Sequence, residues 1–148
     1  HFVWALTGNE SIFQNFDGDK LTLFQWYLVQ WIEIENRAMR FLDEHDLRGR
    51  CFTLNCPREL NDAGKVREMF DFFGIGTHQP DIIFGGRKNK SIGYSAAEAE
   101  RYEKECEMVL QRMPERYLQI FRREPYLSHD WSKRLVKHLR TEIETARS

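Results

Sequence analysis

From Lys20 to about His45 the chain contains neither Gly nor Pro, and Phe24, Tyr27, Trp31, Ile34, Ala38 and Phe41 recur at three- and four-residue spacing. Apolar side chains at that period line one face of an α-helix, so the segment is expected to fold as one long helix. Asp19 is its expected cap. Trp26, Leu28 and Val29 widen the stripe beyond one face. This helix is therefore expected to be buried on two sides, and the rest of the chain must supply both partners.

Arg50-Cys-Phe-Thr-Leu-Asn-Cys56 has the make-up of a strand that ends before Pro57, with Phe52 and Leu54 on one face and Cys51 and Thr53 on the other. His1 to Leu6 alternates weakly and reads as a short strand or the end of one, followed by loop from Thr7 to Asp19. Asn61 is expected to open a second helix whose core residues Val66, Met69, Phe70 and Phe73 fall at i, i+3, i+4 and i+7, with Gly74 as a left-handed terminator. Ser95 and Glu98 have the spacing of a capping box for a third helix to about Met113, with Tyr102, Cys106, Val109 and Met113 as its stripe. Pro114 allows a fresh start with Tyr117, Leu118, Ile120 and Phe121 inward, and Glu124-Pro125 turns the chain again. A last amphipathic helix is expected from about Ser128 to Thr145 through Trp131, Leu135, Leu139 and Ile143. Together these elements predict a helix-rich α/β fold in which residues 1–148 form a single domain or a domain fragment, cropped at an N-terminus that begins at His1.

A chain of 148 residues with 41% hydrophobic content can bury roughly two thirds of the surface its unfolded form exposes. No window approaches 18 uninterrupted apolar residues, so no membrane span is expected. With 22 Lys and Arg against 23 Asp and Glu, there is no global field to collect nucleic acid, and any anion site must be local. Cys51, Cys56 and Cys106 are odd in number and sparse, which favours free thiols and a reducing, cytoplasmic compartment. In a strand, Cys51 and Cys56 would point to opposite faces, poorly placed to share a metal.

The candidate anion site is the stretch from Asp81 to Ser95, where Gly85 and Gly86 sit directly before Arg87, Lys88, Asn89 and Lys90, and no acid follows until Glu98. Glycines let backbone amides approach an anion, Arg87 can fork onto phosphate oxygens, and Lys88 or Lys90 adds charge. A solvated basic connector is the plainer reading of the same residues. The loop is not a Walker A motif, since Asn89 precedes Lys90-Ser91 where Gly is required. His45 and His78 have no visible catalytic partner, and Ser95 is read as a helix cap. Glu33 and Arg37 have the spacing of an i,i+4 pair on a salt-bridged surface, and the aromatics Trp26, Tyr27 and Trp31 are read as core before any base-stacking role.

The order of a long helix, a strand followed by Glu59-Leu60, a helix ending Phe72-Phe73-Gly74-Ile75 and a basic glycine loop resembles the C-terminal half of a sulfotransferase, over about residues 20 to 113. The resemblance implies a P-loop-like α/β fold and an enzyme that transfers a sulfuryl group from 3′-phosphoadenosine 5′-phosphosulfate to a hydroxyl or amine on a small-molecule or carbohydrate acceptor. Arg87, Lys88, Asn89 and Lys90 would bind the donor's 3′-phosphate, with Asn89 standing where the family has Gly. Pro57-Arg58-Glu59-Leu60 stands where the family often has Tyr-Glu-Asp-Leu. The family's 5′-phosphosulfate loop and catalytic base would precede His1, so no catalytic residue is assigned. Two other readings stay open. One is a non-catalytic α/β binding module whose basic loop recognises a phosphorylated or acidic partner, and the other is a transferase using a nucleotide sugar.

Overall fold

The computed structural model describes residues 6–16, 20–56, 59–76, 95–129, 131–133 and 135–136. The chain divides into two compact units, His1–His45 with Tyr94–Ser148, and Asp46–Gly93.

The first unit is built on helix α1, Leu23–Glu44. It begins where Thr22 can act as a capping box. The Thr22 hydroxyl accepts the Gln25 N–H at 3.2 Å, and the Gln25 side-chain oxygen accepts the Thr22 N–H at 3.0 Å. Two orphan backbone donors are thereby satisfied reciprocally. The cap is thus Thr22 rather than Asp19, which lies outside the described residues. Thr22 also donates its hydroxyl to Glu105 of helix α3, Ala96–Arg112, so the cap ties two helices together.

Helix α3 starts at the expected Ser95–Glu98 capping box and ends before Pro114. Helix α4, Glu115–Leu118, runs on into a 3-10 turn over Gln119–Arg122. Val29, Ile32 and Met39 of α1 pack against Val109 and Leu110 of α3 and against Tyr117, Leu118, Ile120 and Phe121, all of them buried; Ile32, Met39 and Leu110 lie off the expected stripes, and none of Phe24, Tyr27, Trp31, Ile34, Ala38 and Phe41, the face expected to be buried, is fully covered. Each large apolar side chain so buried contributes about 1.5–3 kcal/mol relative to exposure. Trp31 stacks on Phe121 with centroids 5.3 Å apart and meets Trp131 edge-on at 5.0 Å, while Trp26 stacks on Phe13 at 4.4 Å. The segment expected to be plain loop contributes Ile12, Phe13 and Phe16 to this core through a 3-10 turn at Phe13–Phe16. Burial of α1 on two sides is not found along its full length, since Leu23, Tyr27 and Phe41 are exposed. At the far end of the unit Trp131, Ser132, Lys133, Leu135 and Val136 have helical backbone, and the remainder of the expected last helix lies outside the described residues.

The second unit holds a 3-10 turn at Arg48–Arg50, irregular backbone over residues 51–55, a 3-10 turn at Glu59–Asn61 and helix α2, Ala63–Phe72. Asp62, one residue after the expected Asn61, caps α2 by accepting the Gly64 and Lys65 N–H groups at 2.8 and 3.2 Å. Gly74 closes it with φ +64, as its position predicts, and the Ile75 N–H donates to the Phe70 carbonyl at 2.8 Å. Only Val66 of the four expected core positions is buried; Met69 and Phe70 are partly buried, and Phe73 is 52% exposed. A ten-residue helix in a small unit has too little chain around it to cover its whole apolar face.

These observations correct the α/β assignment. Among the described residues there is no strand, and the fold is helical. Alternation of Phe52 and Leu54 was the strand signal, but a strand exists only where a neighbouring chain takes its N–H and C=O groups. The 51–55 backbone has no such ladder. Phe52 meets Phe72 at 5.4 Å instead, and the Asn55 N–H donates to the Glu59 carboxylate at 2.7 Å, a local bond that competes with sheet formation.

Candidate functional site

Among the described residues of the first unit, a concavity of about 690 Å³ lies between α1 and α4. Its position follows from one asparagine. Asn36 donates both amide hydrogens, to the Ile32 carbonyl within α1 and to the Tyr117 carbonyl of α4, each at 2.8 Å. This fixes how α4 lies against α1 and holds Tyr117 in place. The Tyr117 hydroxyl then meets the Ser11 hydroxyl at 2.8 Å, so three separate chain segments converge on the groove.

The groove's walls are charged. Glu33 is buried and held by the Arg37 guanidinium at 2.8 Å, the expected i,i+4 pair, although the carboxylate is inside rather than on the surface. Asp43 is held by Arg123 at 3.1 Å. Arg116 lies over the Tyr117 ring, 5.0 Å from its centroid, and donates to the Tyr117 hydroxyl at 3.5 Å, but it closes no ion pair among the described residues. Arg40 and Glu44 also line the groove, and neither is ion-paired among the described residues.

A second depression of about 500 Å³ shares Ser11, Glu33, Arg40 and Glu44 and adds Glu10, Arg37 and Phe41. Burial pushes the Glu10 carboxyl up, but hydrogen bonds from the Thr7 and Gly8 backbone, with Arg37 nearby, outweigh it and hold the group below its ordinary range. Glu10 therefore staples the turn that presents Ser11. The charged wall is fixed rather than floppy, because Arg37 bridges Glu33 at 2.8 Å and Glu10 at 3.8 Å.

The residues expected to bind the sulfuryl donor, Arg87, Lys88, Asn89 and Lys90, lie outside the described residues, as does His78. Phe72 to Ile75, the other carrier of the resemblance, ends α2 as expected but is exposed. Ser95 is a helix cap, and His45 closes α1 with its ring 4.5 Å from Phe41. Trp26 and Trp31 are occupied by aromatic packing, and Tyr27 is exposed. The cysteines are free thiols, with Cys51 and Cys56 exposed and Cys106 partly buried. No cluster of metal-ligating side chains occurs among the described residues. No described helix is long and apolar enough to cross a membrane.

Comparison with family models, with curated proteins and with solved structures finds no match. The sulfotransferase assignment is corrected on the fold itself. Such an enzyme places its donor at the ends of strands in a sheet, where a loop and a helix N-terminus converge on the phosphate. Among the described residues there is no sheet to form that site. The transferase activity, the 3′-phosphoadenosine 5′-phosphosulfate donor and the α/β binding module, each of which presupposed that core, fall with it. No local sequence signal marks the groove, because Ser11 and Tyr117 are joined only through the packing of α4 on α1.

Proposed function

We propose that the first unit is a helical ligand-binding module that takes a small polar molecule into the groove between α1 and α4. The observation that carries this reading is the conjunction of a roughly 690 Å³ groove with Arg40 and Arg116, two guanidinium groups that close no ion pair among the described residues. Ligand sites of small molecules commonly occupy about 300–1,000 Å³ and contain a few polar groups fixed by the scaffold. Here Tyr117 is fixed by its bond to Ser11, and α4 by Asn36. A near-neutral formal charge supports a small-molecule partner over nucleic acid. The sparse, odd cysteines support a reducing compartment as part of the same proposal.

The test is a 1H–15N correlation titration with a panel of amino acids, dicarboxylates and sugars at about 10 mM, a concentration that occupies even a millimolar site. Shifts clustered on Ser11, Asn36, Arg40, Arg116 and Tyr117 are expected for at least one class. Spectra unmoved across the panel, or shifts scattered over the surface, would overturn the reading.

A further inference from the structure

The charges around the groove do not cancel group for group. Glu33 is matched by Arg37 and Asp43 by Arg123. What is left is two guanidinium groups, Arg40 and Arg116, and one carboxylate, Glu44, with no ion-pair partner among the described residues. Arg40 and Glu44 are four residues apart on α1, yet they do not close an ion pair with each other. The arginine-first order is the weaker orientation for such a helical pair.

The uncharged groups add a donor and an acceptor. Ser11 and Tyr117 have two hydroxyl hydrogens between them, and their mutual 2.8 Å bond uses one, so a second O–H is left to donate. Asn36 spends both amide hydrogens on the Ile32 and Tyr117 carbonyls, which leaves Oδ1 to accept. A ligand that complements this set has two carboxylates and one ammonium. Each carboxylate takes a guanidinium, the hydroxyl adds a hydrogen bond to one of them, and the ammonium takes Glu44 with Asn36 Oδ1 as a further acceptor.

Resting on the reading of the groove as a ligand site, we propose that its ligand is an amino dicarboxylate, either a free acidic amino acid or a dipeptide that begins with one, in which the C-terminal carboxylate replaces the α-carboxylate consumed in the peptide bond. A simple dianion would leave Glu44 unmatched beside it, and a simple cation would face two guanidinium groups. The roughly 690 Å³ of the groove exceeds what one amino acid fills, and the peptide form uses the remaining length.

The experiment is calorimetric and NMR titration of the whole chain with L-glutamate, L-glutamyl-L-alanine, N-acetyl-L-glutamate and glutarate. L-Glutamate or its dipeptide should bind about three- to fivefold more tightly than the acetylated form and glutarate, the size expected for one exposed charge contact. Tighter binding of the dipeptide than of the free amino acid would assign the peptide source, and the reverse the free one. In Glu44→Gln that preference for a free ammonium should vanish while glutarate affinity is unchanged or rises. Arg40→Gln should weaken all four compounds. Both side chains are exposed and without an ion-pair partner, so neither change threatens the fold. Groove shifts with no preference for the ammonium, or a preference that survives Glu44→Gln, would overturn the amino dicarboxylate and leave the groove standing. No groove shifts with any compound would overturn both.

Discussion

Replacing Phe121 with Ala and Phe73 with Ala separates the observed core from the one that the sequence pattern suggests. Phe121 is 0% exposed and packs on Trp31, Tyr126 and Trp131 with centroids 5.3, 5.2 and 5.7 Å away. Truncation removes a whole buried ring and leaves a cavity among rigid aromatics that cannot easily collapse. The cost should be about 3–5 kcal/mol, toward the upper end because aromatic pairs add about 0.5–1.5 kcal/mol beyond area. Phe73 is 52% exposed and touches Phe72 edge-on at 5.0 Å, so its loss should cost about 1 kcal/mol or less. Urea unfolding followed by tryptophan fluorescence reads the first unit alone, because Trp4, Trp26, Trp31 and Trp131 all belong to it, while far-ultraviolet circular dichroism reads both units. At about 1.5 kcal/mol/M, the Phe121 change should lower the fluorescence midpoint by about 2–3 M, and Phe73→Ala should leave it in place. If the alanine variant does not fold, Phe121→Leu should still lose on the order of 1 kcal/mol. A Phe121 variant with unchanged stability, or a Phe73 variant that loses 3 kcal/mol or more, would refute this packing.

Three further outcomes follow from single contacts. Gly8 has φ +86, and a Cβ there would sit 2.6 Å from the Trp26 ring, so Gly8→Ala should cost about 2 kcal/mol or more in thermal or urea unfolding from backbone strain and displaced packing together. Asn36→Ala strips the Tyr117 carbonyl of its donor and should cost about 1–3 kcal/mol; NMR should show the Ser11 and Tyr117 resonances moving with it. Glu10 is held below its ordinary pKa of 4.5, so it contributes stability that is fully present above that value and is lost as pH falls through the lowered one. The melting temperature of Glu10→Gln should therefore lie below that of the parent at neutral pH and converge with it in acid, and parallel curves at all pH would contradict the staple.

How much of this was legible depends on how local each signal is. The Ser95–Glu98 box, the left-handed Gly74 and the inward set Tyr117, Leu118, Ile120 and Phe121 are decided within one or two turns of chain, and they stand where the spacing puts them. The start of α1 was misplaced because two competent caps lie three residues apart, and Thr22 has Gln25 at the right distance to complete a box. Phe73 was misread because periodicity says which side of a helix is apolar but not whether anything covers it. The Arg50–Cys56 strand failed for a related reason, since alternation describes a strand's faces and says nothing of a partner for its backbone. Ile12, Phe13 and Phe16 were missed inside a turn-rich segment, where no period marks a core residue. The groove had no local signal at all, being assembled from Ser11, α1 and α4 by tertiary packing.

The account stands on a helical fold without a sheet among the described residues, and backbone assignment with nuclear Overhauser contacts over residues 51–55 tests it most directly. Helical carbon shifts across Leu23–Glu44, Ala63–Phe72 and Ala96–Arg112, with no cross-strand Hα–Hα contacts from 51–55 to any other segment, are the predicted result. A continuous ladder of such contacts from Cys51 to Asn55 would contradict it and would restore the sheet on which the sulfotransferase reading depended.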